Sequence, residues 1–81
     1  MELACMLDAT VVGNVIREAR EERQLSQEEV SRAAGIGRTH LSSIERGVRC
    51  PTLNTFIKIS RAINYPAGDM LDAIEREMEN R

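Results

Sequence analysis

The chain has 81 residues, 42% of them hydrophobic and 30% charged, with a formal net charge of −2, as is typical of one small soluble domain. No apolar run approaches the roughly 20 residues of a membrane span, and the N-terminus lacks the basic start and apolar stretch of a secretory signal. Cys5 and Cys50 match no zinc-site or redox spacing, so we expect a cytoplasmic protein with reduced thiols and neither a metal nor another cofactor.

The apolar periodicity predicts an all-α fold of five short helices, because no stretch shows a sustained alternation with period two. A first helix is expected over residues 10–23, with Asp8 or Thr10 as its N-cap. Ser26 opens a second helix, since Glu29 three residues later completes a Ser-x-x-Glu capping box.

Three more helices follow across short joints. Gly35 is expected to end the second helix in the left-handed backbone conformation. Glycine adopts that conformation at a lower free-energy cost than any other residue. The third helix spans roughly residues 37–46, the fourth residues 51–63, and the last residues 66–80, where Pro66 suits the first turn.

The net charge conceals an uneven distribution along the sequence. Residues 1–16 carry −2, residues 17–61 carry nine basic against six acidic side chains, and residues 62–81 carry −3. Chance clustering would give the same counts. A basic block between acidic ends nevertheless indicates that one surface of the domain faces a polyanion. The acidic remainder of the domain would repel that polyanion.

The turn between the second and third helices has helix-turn-helix spacing, because it consists of only the three residues 35–37. Such a turn crosses the two helices steeply and projects the outer face of the third into solvent. A projecting helix fits the major groove, where base edges present a distinct pattern of donors and acceptors. The side chains expected on this face all form hydrogen bonds: Arg38, Thr39, Ser42, Ser43 and Arg46, with His40 at its edge.

Positions along this helix suggest separate roles. Arg38 and Thr39 lie in the first turn, where base contacts concentrate in this motif, whereas Arg46 and Arg49 at the far end suit phosphates. Gln27, at the start of the second helix, can reach a phosphate with its amide, and the helix dipole favours that contact.

Residues 12–63 resemble the Cro-like, phage-repressor helix-turn-helix family, also called the xenobiotic-response-element family. The resemblance rests on stretches that occur in order and without a gap: IREAREER at 16–23, LSQEEV at 25–30, Gly35, LSSIERG at 41–47 and PTL through Ile59. It implies a DNA-binding regulator that reads bases through Arg38 and Thr39, with His40 and Ser43 as additional candidates, and that contacts phosphate through Gln27. It also implies an ion pair between Arg20 and Glu45, which would brace the third helix against the first.

The branch most similar to this sequence is the controller proteins of restriction–modification systems. Their third helix starts with an arginine–threonine–aromatic–aliphatic–serine sequence, which Arg-Thr-His-Leu-Ser at 38–42 resembles, with His40 in place of the usual tyrosine. Three departures from the family carry structural consequences. Ser31 and Ser60 place hydroxyls where a partner must be found, and Gly37 stands where a capping serine or threonine is usual.

The family implies a homodimer on a palindromic operator. We divide the chain into an N-terminal extension (1–9), a helix-turn-helix domain (10–65) and a C-terminal helix (66–81) that contributes to dimerisation. The stripe assigned to the dimer interface is Met70, Leu71, Ile74 and Met78, although packing within the domain would explain the same spacing. Leu3, Met6 and Leu7 either extend that interface or fray.

The sequence is also compatible with functions other than DNA binding. An antitoxin or adaptor would use the same fold with a protein-binding surface, for which the acidic last helix is the candidate. Glu28 and Glu29 suggest a contact with RNA polymerase, or simply acids in a first helical turn. His40 is the only histidine and lacks a second ligand, which favours an exposed position at the groove edge over a metal or general-base role. With no catalytic triad and no phosphate-binding glycine loop, we expect no enzyme.

Overall fold

A computed structural model describes residues 7–80 and shows five α-helices and no strand in that range, which confirms the predicted all-α fold. The helices are α1 (Ala9–Glu22), α2 (Gln27–Ala34), α3 (Arg38–Glu45), α4 (Leu53–Ile63) and α5 (Ala67–Glu79). The predictions for Leu3 and Met6 concern residues outside the described range. None of the described helices has the length and apolar character needed to span a bilayer.

Local side-chain contacts start the first two helices. Asp8 is the N-cap of α1, because its carboxylate accepts a hydrogen bond from the Thr10 amide at 2.9 Å. Ser26 caps α2: its Oγ accepts from the Glu29 amide at 3.0 Å, and the Glu29 carboxylate accepts from the Ser26 amide at 2.8 Å. This reciprocal pair is the predicted capping box.

The other helix boundaries lie within a residue or two of the predicted ones. Gly35 (φ 71°) and Asn64 (φ 63°) end α2 and α4 in the left-handed conformation. Gly37 precedes α3 without a side-chain cap, as expected for a residue that has no side chain. Pro66 occupies the N-cap of α5 and so stands just before the first helical turn in which it was predicted.

The capping box predicts a pH dependence of stability. Hydrogen bonds from the backbone and hydroxyl of Ser26 lower the pKa of Glu29 below its ordinary value of 4.5. A lowered folded-state pKa contributes stability above the unfolded-state pKa, and that contribution is lost as pH falls through the folded value. We therefore expect the loss of stability below about pH 4.5 to be shallower in Glu29→Gln than in the parent, as measured by urea unfolding at a series of pH values. Identical slopes in both proteins would contradict this role of the Glu29 charge.

One aliphatic core joins all five helices. Its largest fully buried side chains are Ile16, Leu41, Ile44, Ile59, Ile63, Met70 and Ile74. α1 packs on α3, α4 and α5, while α2 packs on α3 and α4. Ser31 and Ser60 are buried in this packing, and their hydroxyls donate to the carbonyls of Glu28 (3.2 Å) and Ile57 (2.8 Å).

The burial of α5 corrects part of the predicted dimer interface. Met70 and Ile74 have 0% exposure in the single chain, where they fill the core beneath α1 and α4. They have no surface left for a second subunit. Leu71 is 40% exposed and Met78 is half-buried, so these two remain accessible on α5.

Candidate nucleic-acid interface

α3 has a buried face and an exposed polar face. Leu41 and Ile44 are fully buried on the inner side. On the outer side Arg38 and Thr39 in the first turn are exposed, and the predicted residues His40, Ser42 and Ser43 are half-buried. The helix therefore presents hydrogen-bonding side chains to solvent and no large apolar one.

Arginines lie at both ends of the exposed face. Arg46, the C-cap of α3, lies back along the helix, where its guanidinium donates to the Ser42 carbonyl (3.3 Å) and to the Ser43 hydroxyl (3.4 Å). Arg38 and Arg49 are exposed and form no ion pair with any residue between 7 and 80. Their charges remain available to an external anion.

A buried ion pair holds the C-terminal end of α3 against α1. Arg20 donates to both carboxylate oxygens of Glu45, from Nε to Oε2 at 2.7 Å and from Nη2 to Oε1 at 3.0 Å. The two side chains are 12% and 3% exposed. The hydrogen bond to Glu45 raises the pKa of Arg20 above its ordinary value, against the opposing effect of burial.

The same pair extends into α2 and the loop before it. Arg20 Nη1 donates to the Leu25 carbonyl at 2.8 Å, and Gln27 Nε2 donates to Glu45 Oε1 at 3.0 Å. We call Arg20, Gln27 and Glu45 the brace. It fixes one end of α3 to two other helices and leaves the first turn of α3 exposed. The phosphate contact of Gln27 stays a prediction, whereas its bond to Glu45 is one that the sequence does not predict.

Gly13 also positions α3, and the sequence interpretation missed it. A Cβ at Gly13 would lie 2.3 Å from the Ile44 carbonyl oxygen and 2.6 Å from that of Glu45. The last turn of α3 therefore rests directly on the backbone of α1. A glycine inside the amphipathic pattern of the first helix was the available signal, because glycine there sacrifices helix propensity and often marks a close approach.

Two exposed apolar residues were also missed as surface features. Val48 is 70% exposed in the loop after α3, and Leu53 is 75% exposed in the first turn of α4. With Leu71, they are the large hydrophobic side chains at the described surface. Among residues 7–80, no three His, Cys, Asp or Glu side chains cluster as metal ligands would.

The similarity to known proteins covers the part of the chain that contains α3. A family model described as helix-turn-helix matches residues 16–70. The chain is 41% identical over 59 residues to the ImmF control region 10 kDa protein of Bacillus phage phi105, across 73% of this chain and 66% of that protein. It is 34% identical over 68 residues to the control protein C.SmaI of Serratia marcescens, across 83% of this chain and 81% of that protein.

A solved structure shares this architecture. The chain is similar to the restriction–modification controller protein C.AhdI from Aeromonas hydrophila, with a TM-score of 0.75 and 28% identity over 78% of this chain and 96% of that one. The chain spans just under two thirds of the phage phi105 protein, and 60% of a phage repressor, RstR, from Vibrio cholerae. The matched family region contains the brace, the turn at 35–37 and the whole of α3.

Proposed function

We propose that this chain, which belongs to the helix-turn-helix family, is a sequence-specific DNA-binding transcription regulator. It acts as a homodimer on an inverted repeat. The exposed polar face of α3, held from behind by the brace, is the observation that supports this function. A packed helix that is anchored at one end and exposes its first turn can enter a major groove without rearrangement of the domain. We place the protein in the cytoplasm.

Each subunit inserts the first turn of α3 into one major groove. Arg38 donates to a base edge, with guanine O6 and N7 as the acceptors best matched to a guanidinium. Thr39, Ser42, Ser43 and His40 line the remaining outer face, while Arg46 and Arg49 contact phosphates. Gln27 lies at the N-terminus of α2, where the helix dipole also favours a phosphate.

Replacement of Arg38 tests base reading. We expect Arg38→Ala to weaken binding to a selected site by about 1–3 kcal/mol, or roughly five- to 150-fold. Discrimination at one base pair should relax in parallel, because the lost contact is to a base edge. Fluorescence anisotropy at fixed salt, with the selected site and the three other base pairs at each position, measures both effects.

Two arginine variants serve as matched controls. Arg76→Ala removes the same charge from an exposed position on α5 and should leave discrimination between binding sites unchanged. Arg49→Ala should weaken binding evenly across sequences and reduce the slope of log affinity against log salt by about one. An Arg38→Ala protein that keeps full affinity for the selected site would contradict the assignment of α3 as the reading helix.

Self-association is proposed through the exposed leucines of α4 and α5. Leu53 and Leu71 are 75% and 40% exposed, and removal of such area from water favours a dimer. We expect Leu53→Asn/Leu71→Asn to shift the sedimentation profile towards monomer while the circular dichroism spectrum still shows a folded helical domain, because neither leucine is fully buried in the core. An unchanged profile would place the dimer contact elsewhere.

The regulatory class proposed is a restriction–modification controller. The supporting observations are the Arg-Thr-His-Leu-Ser start of α3 and the 34% identity to C.SmaI along most of both chains. Genes for a methyltransferase and an endonuclease beside the coding sequence would support this class, and a phage immunity region would oppose it. Glu29 acts in the capping box and Glu28 lies 3.8 Å from Arg32, so local roles account for both acids without an RNA polymerase contact.

A further inference from the structure

Gln27 contacts the buried end of α3, although it lies on the surface where DNA is proposed to bind. Its Nε2 lies 3.0 Å from Glu45 Oε1. An ionised carboxylate only accepts hydrogen bonds, so the amide must turn its nitrogen towards Glu45. The Gln27 side chain is half-buried, whereas that of Glu45 is 3% exposed. The contact therefore runs from the surface into the interior.

The amide group can serve two partners at once. Its nitrogen carries two hydrogens, and one of them forms the hydrogen bond to Glu45. The second donates to no residue between 7 and 80, so it can donate to a phosphate oxygen bound at the N-terminus of α2. One atom would then connect the DNA backbone to the residue that anchors α3.

Glu45 transmits this contact because it is held tightly on the other side. Its carboxylate accepts two hydrogen bonds from Arg20 as well as the one from Gln27. It is also the last residue of α3, directly beside the backbone contact with Gly13. A small change in the partners of Glu45 therefore acts at the position that sets the angle of α3 on the domain.

We propose that Gln27 is a positioning residue that couples phosphate contact at α2 to the orientation of the reading helix through Glu45. This inference rests on the proposed DNA-binding function. A residue that only contacts phosphate alters affinity for all sequences equally. A positioning residue also alters the ratio of affinities for the selected site and for a scrambled duplex, because it changes how Arg38 and Thr39 meet the bases.

The test compares single and exchanged variants. Gln27→Met keeps the length of the side chain but removes the donor. Gln27→Glu sets two carboxylates against each other, and Glu45→Gln removes the acceptor charge. The double variant Gln27→Glu/Glu45→Gln exchanges amide and carboxylate, keeps the net charge and restores a donor–acceptor pair between positions 27 and 45. Like Glu45→Gln, it lacks the carboxylate that pairs with Arg20, so that single variant is its reference. Gln24→Met, at the other glutamine of the chain, which is exposed, is the matched control.

Two readouts separate positioning from simple contact. We expect Gln27→Met to lower the affinity ratio about two- to tenfold, the range of one ordinary hydrogen bond, whereas Gln24→Met leaves it unchanged. The exchanged double variant should exceed Glu45→Gln in this ratio, because both lack the ion pair with Arg20 and only the double variant sets a donor against a charged acceptor across positions 27 and 45. Urea unfolding without DNA should show the same non-additivity between positions 27 and 45.

The possible outcomes separate failure of the positioning role of Gln27 from failure of the proposed DNA-binding function. A parent protein with equal affinity for both duplexes would overturn the proposed function. A parent that discriminates, combined with a Gln27→Met variant that loses affinity for both duplexes equally, would overturn only the positioning role. Failure of the exchanged variant to improve on Glu45→Gln would also overturn it.

Discussion

The Arg20→Met variant is expected to lose roughly 3–5 kcal/mol of unfolding free energy, the usual cost of leaving one member of a buried ion pair alone. Glu45 would keep a carboxylate that is 3% exposed and would retain only the hydrogen bond from Gln27. Small domains have about 5–15 kcal/mol in total, so the variant should be marginally folded. Urea unfolding monitored by circular dichroism measures the loss.

The matched control removes both charges. Arg20→Met/Glu45→Leu has no uncompensated charge, and replacement of a buried pair by apolar residues is often neutral or stabilising. We expect it to recover most of the stability that the single variant loses. If the unfolding free energy of Arg20→Met lies within about 1 kcal/mol of that of the parent, the ion pair contributes no more than a surface ion pair does. The brace would then not be what holds α3.

The Gly13→Ala variant should lose about 1–3 kcal/mol, the usual cost of overpacking, and should also bind DNA poorly. The added methyl group would lie 2.3 Å from a carbonyl oxygen of α3. Neither backbone can rotate away, because both belong to helices, so α3 must move. That movement would displace Arg38 and Thr39 from the groove. Unfolding free energy and affinity for a selected site together report it.

Gly68→Ala provides the comparison. Gly68 lies in a helix, as Gly13 does, but it is exposed. A methyl group added at Gly68 would meet no atom within 4 Å. Alanine is the better helix former by up to about 1 kcal/mol, so this variant should be as stable as the parent or more so. Equal responses at positions 13 and 68 would show that helix propensity, not the contact with α3, governs Gly13.

The features that sequence predicted well depend on neighbours in the chain. The capping box needs only Ser26 and Glu29, and Gly35 ends α2 because of its own backbone freedom. The polar face of α3 follows from helical spacing around buried Leu41 and Ile44. Such local signals fixed all five helices to within about two residues.

The features that sequence missed depend on packing between distant segments. Gly13 has a role only because the end of α3 lies against it, and Gln27 meets Glu45 across 18 positions. The apolar stripe of α5 showed which residues share a face. It could not show that α1 and α4 would cover Met70 and Ile74 and leave Leu71 exposed.

Selection of binding sites from random duplex DNA tests most directly whether the outer face of α3 reads base pairs. The purified full chain is used, with Arg38→Ala in parallel. We expect the parent to enrich an inverted repeat with half-sites centred about 10 bp apart, and Arg38→Ala to lose preference at one position in each half-site. A pool that stays unenriched at moderate salt, or an identical repeat from both proteins, would contradict the account.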